Sequence, residues 1–164
     1  DFTNVIKKSN NDALELLEII TSDFPSFNDF AVYNGQKVFF NKRAQLLISD
    51  IYRIFKGRGY GELKNTDQLT AFADYKIPQI LRKLGILEYS SELSQKIDNK
   101  DFISAGSEEE IEIRANAIWA VEMMKEEFKN PGVTAMDFDS YLWLLGQKKS
   151  LNDKPYHLTQ NIFY

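Results

Sequence analysis

A long predicted helix is the feature of this sequence that most restricts its fold. Ser107 and Glu110 form a capping-box pattern, in which a serine and a glutamate three residues later satisfy the first free N–H groups of a helix. The helix is predicted to continue to about Lys129. Its apolar stripe consists of Ile111, Ala115, Ile118 and Trp119. Other elements must cover such a stripe, so we expect this helix to be central and to pack on several sides.

Five shorter helices are predicted from cap residues that precede apolar residues at helical spacing. Their caps are Asn11, Asn41, Asp74, either Ser90 or Ser91, and Thr134. The helix after Asn41 covers Lys42 to about Lys56. The apolar residues of these helices, which are expected to face the core, include Leu14, Phe24, Ile54, Phe55, Leu84, Phe138, Tyr141, Leu142 and Leu145.

One β-hairpin interrupts the helices. Asn34-Gly35 stands between two apolar runs within residues 30–39, and this dipeptide is the strongest short signal for a hairpin turn. The tail from Pro155 to Tyr164 is expected to be extended. The predicted fold class is therefore mainly α with one small β-hairpin, in one domain. Aromatic residues make up 13% of the chain, which fits either an aromatic core or a pocket that stacks a flat ligand.

The composition excludes several functional classes. The chain of 164 residues has 20 Lys and Arg against 24 Asp and Glu, so we expect no direct binding of nucleic acid. It has no cysteine and one histidine, which excludes disulfides, thiolate nucleophiles and multi-histidine metal sites. No apolar run reaches about 18 residues and no signal peptide is visible, so we expect a cytoplasmic protein that does not bind membranes.

Three local patterns are weak candidates for chemistry. The run Gly57-Arg-Gly-Tyr-Gly61 lacks the preceding strand and the following Gly-Lys-Ser/Thr of a phosphate loop, so a helix-to-helix connection is favoured. Glu108-Glu109-Glu110 fits acidic residues in the first turn of a helix better than a metal cluster. His157 is expected to be structural rather than an acid or base.

Asp74 has both a structural and a catalytic interpretation. It stands where the N-cap of a helix belongs, and a carboxylate there accepts hydrogen bonds from free N–H groups. The positive potential of a helix N-terminus favours the ionised carboxylate. A fixed anion of this kind can also stabilise a cation that develops on a bound substrate.

Asp139 and Trp143 form a second candidate pair. They are four residues apart in the last predicted helix and therefore share a face, which is not the face of its apolar core residues. A carboxylate can accept hydrogen bonds from a guanine-like base while an indole stacks on it. An amphipathic helix with a half-exposed tryptophan explains the same residues, so both interpretations stay open.

The segment from Asp74 to Leu87 resembles the one that follows the helix-hairpin-helix motif in DNA glycosylases, where an Asp opens a helix that ends in Leu-Gly. The usual Leu-Pro-Gly-Val-Gly hairpin is absent, and this absence and the acidic charge argue against a DNA-repair enzyme.

A closer resemblance is to the C-terminal half of the queuosine 5′-phosphate N-glycosylase/hydrolase family, also called queuosine salvage proteins. The shared motifs occur in family order from about Phe24 to Tyr164. They are Lys42–Gln45, Phe72–Gln79, Leu84–Ser90, Glu112–Arg114 with Trp119, Asp139–Trp143 and Pro155–His157. Because the chain also lacks an initial methionine, we expect residues 1–164 to be a single domain, the C-terminal catalytic half of a longer protein.

The resemblance implies a DNA-glycosylase-like helical fold and hydrolysis of the N-glycosidic bond of queuosine 5′-phosphate, which releases queuine for tRNA modification. It implies no metal and no organic cofactor. The implied partners are the substrate and the family's N-terminal half. Asp74 is the implied catalytic carboxylate and Lys42 a catalytic partner, which could hold the 5′-phosphate, keep Asp74 ionised or attack C1′. The implied substrate-binding residues are Phe72, Tyr75, Asp139 and Trp143.

Two positions depart from the family pattern. The last motif usually reads Asp-Tyr-Tyr-Leu-Trp-Asp, whereas this chain has Ser140 in place of the first tyrosine and Leu144 in place of the final aspartate. The departures affect recognition of the base. They motivate an alternative function, a catalytically inactive nucleotide- or RNA-binding module with a glycosylase-like fold.

Overall fold

The computed structural model describes residues 2–148 and 153–164. Within them the chain forms seven α-helices and one antiparallel hairpin, as the predicted mainly helical fold class requires. The helices are α1 (Phe2–Lys8), α2 (Ala13–Asp23), α3 (Lys42–Ile54), α4 (Lys76–Lys83), α5 (Ser91–Asp98), α6 (Glu108–Phe128) and α7 (Ala135–Gly146). The strands are β1 (Phe30–Tyr33) and β2 (Gln36–Phe39). Short 3₁₀ turns cover Pro25–Phe27, Gly59–Gly61 and Thr66–Gln68.

The hairpin forms as its turn sequence predicts. Asn34 has a φ of 50° and Gly35 a φ of 78°, the two positive values that a tight type I′ turn requires. The turn sets the register, in which Phe30 pairs with Phe39 and Tyr33 pairs with Gln36. The end of β2 is thereby placed directly before α3.

Two main apolar cores meet at α7. The first core lies between α1, α2 and α3 and includes Leu16, Ile20 and Ile48. The second lies between α4, α6 and α7 and includes Leu81 and Val121. The α7 helix contributes residues to both, and so does the segment between the last 3₁₀ turn and α4. This seam positions the pocket described below.

The central position predicted for α6 is confirmed, because it packs against α4, α7 and β1. The predicted apolar stripe of α6 is only partly correct. Trp119 is 67% exposed, and the buried residues of α6 are Glu110, Ile111, Ile113, Arg114, Ala117, Ala120 and Val121. A charged residue, Arg114, therefore occupies a core position of this helix.

Several other residues predicted to be buried are exposed. They are Leu14, Phe24, Ile54, Phe55, Leu84 and Tyr141, with Tyr141 65% exposed. Most lie at or near a helix end, where helical spacing continues but the neighbouring helix no longer covers the stripe. Helix α1 had no cap or stripe prominent enough to predict it.

Three predicted caps differ in detail. Asp12, rather than Asn11, caps α2, since its Oδ1 accepts from the N–H groups of Leu14 at 2.8 Å and Glu15 at 3.2 Å. Asn41 precedes α3 in the left-handed region (φ 49°) and its side chain makes no cap bond. Ser107 caps α6, but the Glu110 carboxylate accepts from the N–H of Gly106 and not from that of Ser107.

The tail is extended as predicted over residues 155–164. Leu158 bridges to Phe102, and the carbonyl of Ile162 accepts a hydrogen bond of 3.0 Å from Arg43. The tail therefore runs back over the start of α3. In the described part of the chain, no helix has both the length and the apolar character needed to cross a membrane.

Candidate active site

A pocket of about 520 Å³ lies at the seam between the two cores. One face of α3, the segment just before α4 and one face of α7 form its walls. Five of the six predicted site residues line it, namely Lys42, Phe72, Asp74, Asp139 and Trp143. The remaining lining residues are Leu46, Ser49, Asp50, Arg53, Ser140 and Leu144. The structure thus brings together residues that are up to about a hundred positions apart in the sequence.

Asp74 is a buried carboxylate fixed at the start of α4. Its Oδ1 accepts hydrogen bonds from the backbone N–H groups of Lys76 at 2.7 Å and Ile77 at 3.1 Å. These bonds satisfy free N–H groups of the helix, as the cap interpretation predicted. They engage only Oδ1, whereas Oδ2 faces Lys42. Capping therefore orients this carboxylate toward the pocket.

Lys42 is the first residue of α3 and lies opposite Asp74. Its Nζ is 3.8 Å from Asp74 Oδ2, and the two side chains are 15% and 11% exposed. The backbone N–H of Lys42 donates to Asp29 Oδ2 at 3.1 Å. The distance of 3.8 Å is longer than a direct hydrogen bond between a charged amine and a carboxylate. The pair is therefore an ion pair without a direct hydrogen bond.

Asp139 is the second buried carboxylate of the pocket. Its Oδ1 accepts from the N–H of Phe72 at 2.9 Å. Burial, with a smaller contribution from the charge of nearby Asp74, raises the pKa of Asp139 to about 7, although the bond from Phe72 and the cations Lys42 and Arg53 oppose the shift. Near neutral pH the protonated and ionised forms of Asp139 therefore both exist.

Two carboxyl groups in different environments form the chemical centre of the pocket. Asp74 receives two N–H donors and faces a lysine. Asp139 is buried, receives one N–H donor and has a pKa raised to about 7. Paired carboxyl groups whose environments differ in this way are typical of sites that combine an anion with an acid.

Aromatic side chains provide the apolar part of the wall. Phe72 is buried and packs with the first core, while its backbone holds Asp139. Trp143 is about half exposed at the mouth, and it lines the same pocket as Asp139, as their spacing on α7 predicted. The indole is therefore available to a flat ligand.

Tyr75 does not line this pocket. Its ring lies 4.6 Å from the ring of Tyr156, between centroids, on the surface that the tail covers. Asp74 and Tyr75 are consecutive in the turn that begins α4, so their side chains leave the backbone in different directions. The structure therefore does not place Tyr75 with the other predicted residues.

Three polar residues of α3 in the pocket wall were not predicted. Ser49, Asp50 and Arg53 follow Lys42 at helical spacing on one face, opposite the apolar stripe of this helix. That polar stripe is the sequence signal that could have identified them. Ser49 is fully buried, and within the described residues its Oγ has no hydrogen-bond partner. An unpaired buried hydroxyl in a pocket wall is available to a ligand.

Both positions that depart from the family pattern lie in the pocket wall. Ser140 Oγ accepts a hydrogen bond from Arg53, whose guanidinium also donates to the carbonyl of Met136 at 2.9 Å. Leu144 is exposed at the mouth. The replacement of a tyrosine by Ser140 therefore leaves a small side chain that holds an arginine.

The weaker sequence candidates lie outside the pocket. His157 is buried, and burial together with Arg114 lowers its pKa to about 4. The run from Gly57 to Gly61 forms a turn and a 3₁₀ segment after α3. Glu108–Glu110 occupy the first turn of α6. Within residues 2–148 and 153–164 no group of three or more His, Asp or Glu side chains is arranged to hold a metal ion.

Comparisons with known proteins give a consistent result. A profile described as queuosine salvage protein matches residues 1–164. The queuosine 5′-phosphate N-glycosylase/hydrolase of Sphaerobacter thermophilus is 44% identical over 165 residues, which cover 99% of this chain and 51% of that protein. The proteins of the same name from Dictyostelium discoideum (98% and 50% covered) and Bos taurus (99% and 51%) are 44% and 33% identical. The chain therefore spans about half the length of these curated relatives.

Proposed function

The chain belongs to the queuosine salvage protein family, and we propose that its pocket hydrolyses the N-glycosidic bond of queuosine 5′-phosphate. The products are queuine, which becomes available for tRNA modification, and ribose 5-phosphate. The observation that carries the proposal is the geometry of Asp74, a buried carboxylate whose Oδ1 is fixed by two N–H groups while Oδ2 faces the pocket.

Asp74 has the properties needed to stabilise the transition state. Cleavage of an N-glycosidic bond passes through a sugar with oxocarbenium character, which an adjacent anion stabilises. One charge pair at about 4 Å and an effective dielectric constant of about 20 contributes about 4 kcal/mol. This corresponds to about a thousandfold in rate. Stabilisation of the cation alone is too small for a glycosidase, so the departing base also needs assistance.

Asp139 is our candidate for that assistance. Queuine is a 7-deazapurine and lacks N7, the position at which purine leaving groups are usually protonated. A protonated Asp139 next to Asp74 can donate its proton to another polar atom of the departing base. The acceptor role expected from the sequence needs the ionised form of Asp139 instead. The donor role and the acceptor role therefore predict opposite pH dependences of the hydrolysis rate.

The pH profile of single-turnover hydrolysis separates these two roles. If Asp139 is the proton donor, the rate falls as pH rises through about 7, because the protonated fraction of Asp139 falls. In that case Asp139→Asn loses the dependence and most of the rate but still binds substrate. A rate that rises through the same pH range, together with weakened binding by Asp139→Asn in calorimetry, would establish the acceptor role.

Lys42 is proposed to act through its charge. Its Nζ lies 3.8 Å from Asp74, where it can orient that carboxylate and attract the 5′-phosphate. Because the family name denotes hydrolysis, we expect no Schiff base between Lys42 and the sugar. Borohydride reduction during turnover should give no adduct by mass spectrometry, with Lys42→Arg as the matched variant. A stable adduct on Lys42 would indicate lyase chemistry and overturn this assignment.

We also propose that residues 1–164 form one domain that acts as the C-terminal half of a protein as long as the relatives. The pocket is open at its mouth, where Trp143 and Leu144 are exposed apolar side chains. A further segment would cover these residues and complete the pocket. We propose that the whole protein acts in the cytoplasm, without binding nucleic acid or membranes, which subcellular fractionation can test.

The catalytic proposal is tested by incubating queuosine 5′-phosphate with this chain, with the other half supplied separately, and with both halves in one polypeptide. Chromatography of released queuine should show turnover when both halves are present. The 5′-hydroxyl nucleoside serves as a control for the phosphate. Absence of queuine release under all three conditions would contradict the proposal.

The alternative is a binding module without catalysis. Ser140 and Leu144 favour it, because they change the pocket wall at two family positions while Asp74 stays in place. A binding module would bind queuosine 5′-phosphate or RNA in calorimetry and release no queuine. Restoring the family residues with Ser140→Tyr and Leu144→Asp would then be the decisive pair of variants, since activity should appear only if these two positions had abolished it.

A further inference from the structure

We infer that Arg114 is a positioning residue, which sets the separation between Lys42 and Asp74 from outside the pocket. The inference rests on the proposed function of those two residues. Arg114 lies on α6, does not line the pocket and is almost completely buried.

Arg114 is connected to both sides of the proposed site. Its Nε donates to the carbonyl of Ala73 at 3.0 Å, and Ala73 directly precedes Asp74. Its two terminal nitrogens donate to the two oxygens of Asp29, Nη1 to Oδ1 at 3.0 Å and Nη2 to Oδ2 at 2.5 Å. One planar guanidinium therefore connects the residue before Asp74 to the carboxylate of Asp29.

Asp29 continues this connection to Lys42. Its Oδ2, which already accepts from Arg114, also accepts from the backbone N–H of Lys42 at 3.1 Å. Its carbonyl accepts from Phe40 at 2.9 Å and Asn41 at 3.0 Å, the two residues before α3. The bond from Lys42 satisfies a free N–H group of α3, although the Asn41 side chain supplies no cap. The start of α3, and with it Lys42, is therefore held by Asp29.

Arg114 itself has little freedom to move. Its guanidinium carbon lies 4.0 Å from the ring centroid of Phe40 and 4.6 Å from that of Tyr164. Glu110 accepts from Arg114 Nη1 at 3.4 Å and from the Tyr164 hydroxyl at 2.8 Å. We call Arg114, Asp29, Glu110 and Tyr164 the Arg114 cluster. Because each of its charged side chains is bonded on several sides, the cluster is a rigid support for the two backbones it connects.

Geometry, rather than charge alone, distinguishes Arg114 from a lysine at this position. Five N–H donors in one plane let arginine bond two carboxylate oxygens and a carbonyl together, which a single ammonium group cannot reproduce. Arg114→Lys keeps the positive charge but loses this pattern. Displacement of reacting groups by about 1 Å can slow an enzyme about a hundredfold.

The test compares Arg114→Lys with Arg82→Lys in the full-length protein. Arg82 is a matched control, because it is also largely buried, bonds Asp98 at 2.8 Å and stacks on Tyr89, yet lies outside the pocket. At temperatures where circular dichroism shows both variants folded, we expect kcat of Arg114→Lys to fall about ten- to a hundredfold, with KM nearly unchanged. Arg82→Lys should retain the wild-type kcat.

Crystal structures of both variants give a readout that does not depend on activity. Arg114→Lys should move Lys42 Nζ and Asp74 Oδ2 away from their 3.8 Å separation, and Arg82→Lys should not. An unchanged separation, or equal kcat in the two variants, would overturn the inference. If wild-type protein releases no queuine, the proposed function fails, while the measured separation still decides the role of Arg114.

A second variant covers the case in which Arg114→Lys does not fold. Asp29→Asn has one acceptor oxygen where the carboxylate has two. It therefore cannot accept all three hydrogen bonds that Asp29 accepts from Arg114 and the Lys42 N–H. The same fall in kcat at constant KM is expected. Wild-type kcat in folded Asp29→Asn would contradict the positioning role.

Discussion

Two clusters of oppositely charged side chains are neighbours in the fold, since Arg114 bonds the carbonyl of Ala73, next to Asp74. They differ in burial and in hydrogen bonding. In the Arg114 cluster the Arg114 and Asp29 side chains are 2% and 1% exposed and share two hydrogen bonds. In the pocket, Lys42 and Asp74 are 15% and 11% exposed and lie 3.8 Å apart. Arg114 and Asp29 bond directly to each other, whereas Lys42 Nζ and Asp74 Oδ2 make no direct hydrogen bond and can bind a ligand. The difference separates a structural support from a site that a ligand can complete.

The largest expected effect is the loss of stability when the cation of the Arg114 cluster is removed. Arg114→Met removes the cation and leaves the buried carboxyl groups of Asp29 and Glu110 without a cationic partner. We expect the free energy of unfolding to fall by about 3–5 kcal/mol in urea denaturation. Arg82→Met should cost clearly less, because Asp98 is 30% exposed and also pairs with Lys154. Equal losses in the two variants would mean that the burial of the Arg114 cluster does not increase the cost of removing its cation.

The next effect is the pH dependence of stability from Asp139. Its pKa is raised from 3.8 to about 7 in the folded protein, so the native state binds more protons than the unfolded state between these values. Stability therefore falls as pH rises from about 4 to about 7. Each pKa unit corresponds to about 1.4 kcal/mol. The free energy of unfolding of Asp139→Asn should therefore increase by about 2–4 kcal/mol relative to that of wild type as the pH rises from 4 to 8.

Asp98→Asn provides a control of opposite sign. Hydrogen bonds from Arg82 and Lys154 lower the pKa of Asp98, so the ionised form stabilises the fold at neutral pH and that contribution is lost as pH falls. Asp98→Asn should be less stable than wild type at pH 7, with a smaller difference at low pH. Urea unfolding at several pH values measures both variants. Parallel curves for wild type and Asp139→Asn would contradict the raised pKa.

The smallest effect compares two buried serines. Ser9 Oγ donates to the carbonyl of Ile6 at 2.8 Å, whereas Ser49 Oγ in the pocket wall has no partner among the described residues. Ser9→Ala should lose about 1 kcal/mol of stability, and Ser49→Ala should lose none or gain up to about 1 kcal/mol. Thermal denaturation measures both. If the pocket binds substrate through Ser49, only Ser49→Ala should raise KM, and a loss of stability in Ser49→Ala would assign that hydroxyl a structural role.

Local signals in the sequence predicted much of the fold. The Asn34-Gly35 turn, the Ser90 cap and the long helix after Ser107 depend on neighbouring residues, and all three are present. Burial at helix ends was predicted less well, as Ile54 and Leu84 show. Helical spacing identifies a face of a helix, but the partner that covers the face comes from distant sequence.

The residues that line the pocket were predicted better than the contacts of the Arg114 cluster. Lys42, Asp74 and Asp139 were found because family motifs and helix caps mark them. Arg114 and Asp29 are 85 positions apart, and no local pattern relates them. Two signals marked Arg114, since it belongs to the family motif Glu112–Arg114 and lies between Ile111 and Ile118 on the predicted apolar stripe of α6. A charge at a core position requires a buried partner, although the sequence does not say which carboxylate provides it.

The central claim is that Asp74 acts as an anion in catalysis and not only as a helix cap, and Asp74→Asn tests it most directly. Asparagine caps a helix nearly as well as aspartate, so the melting temperature should change little. Losing the charge should slow single-turnover hydrolysis of queuosine 5′-phosphate about a thousandfold or more, with substrate binding changed much less. Near-normal turnover in folded Asp74→Asn would contradict the account, and so would a variant that is inactive because it unfolds.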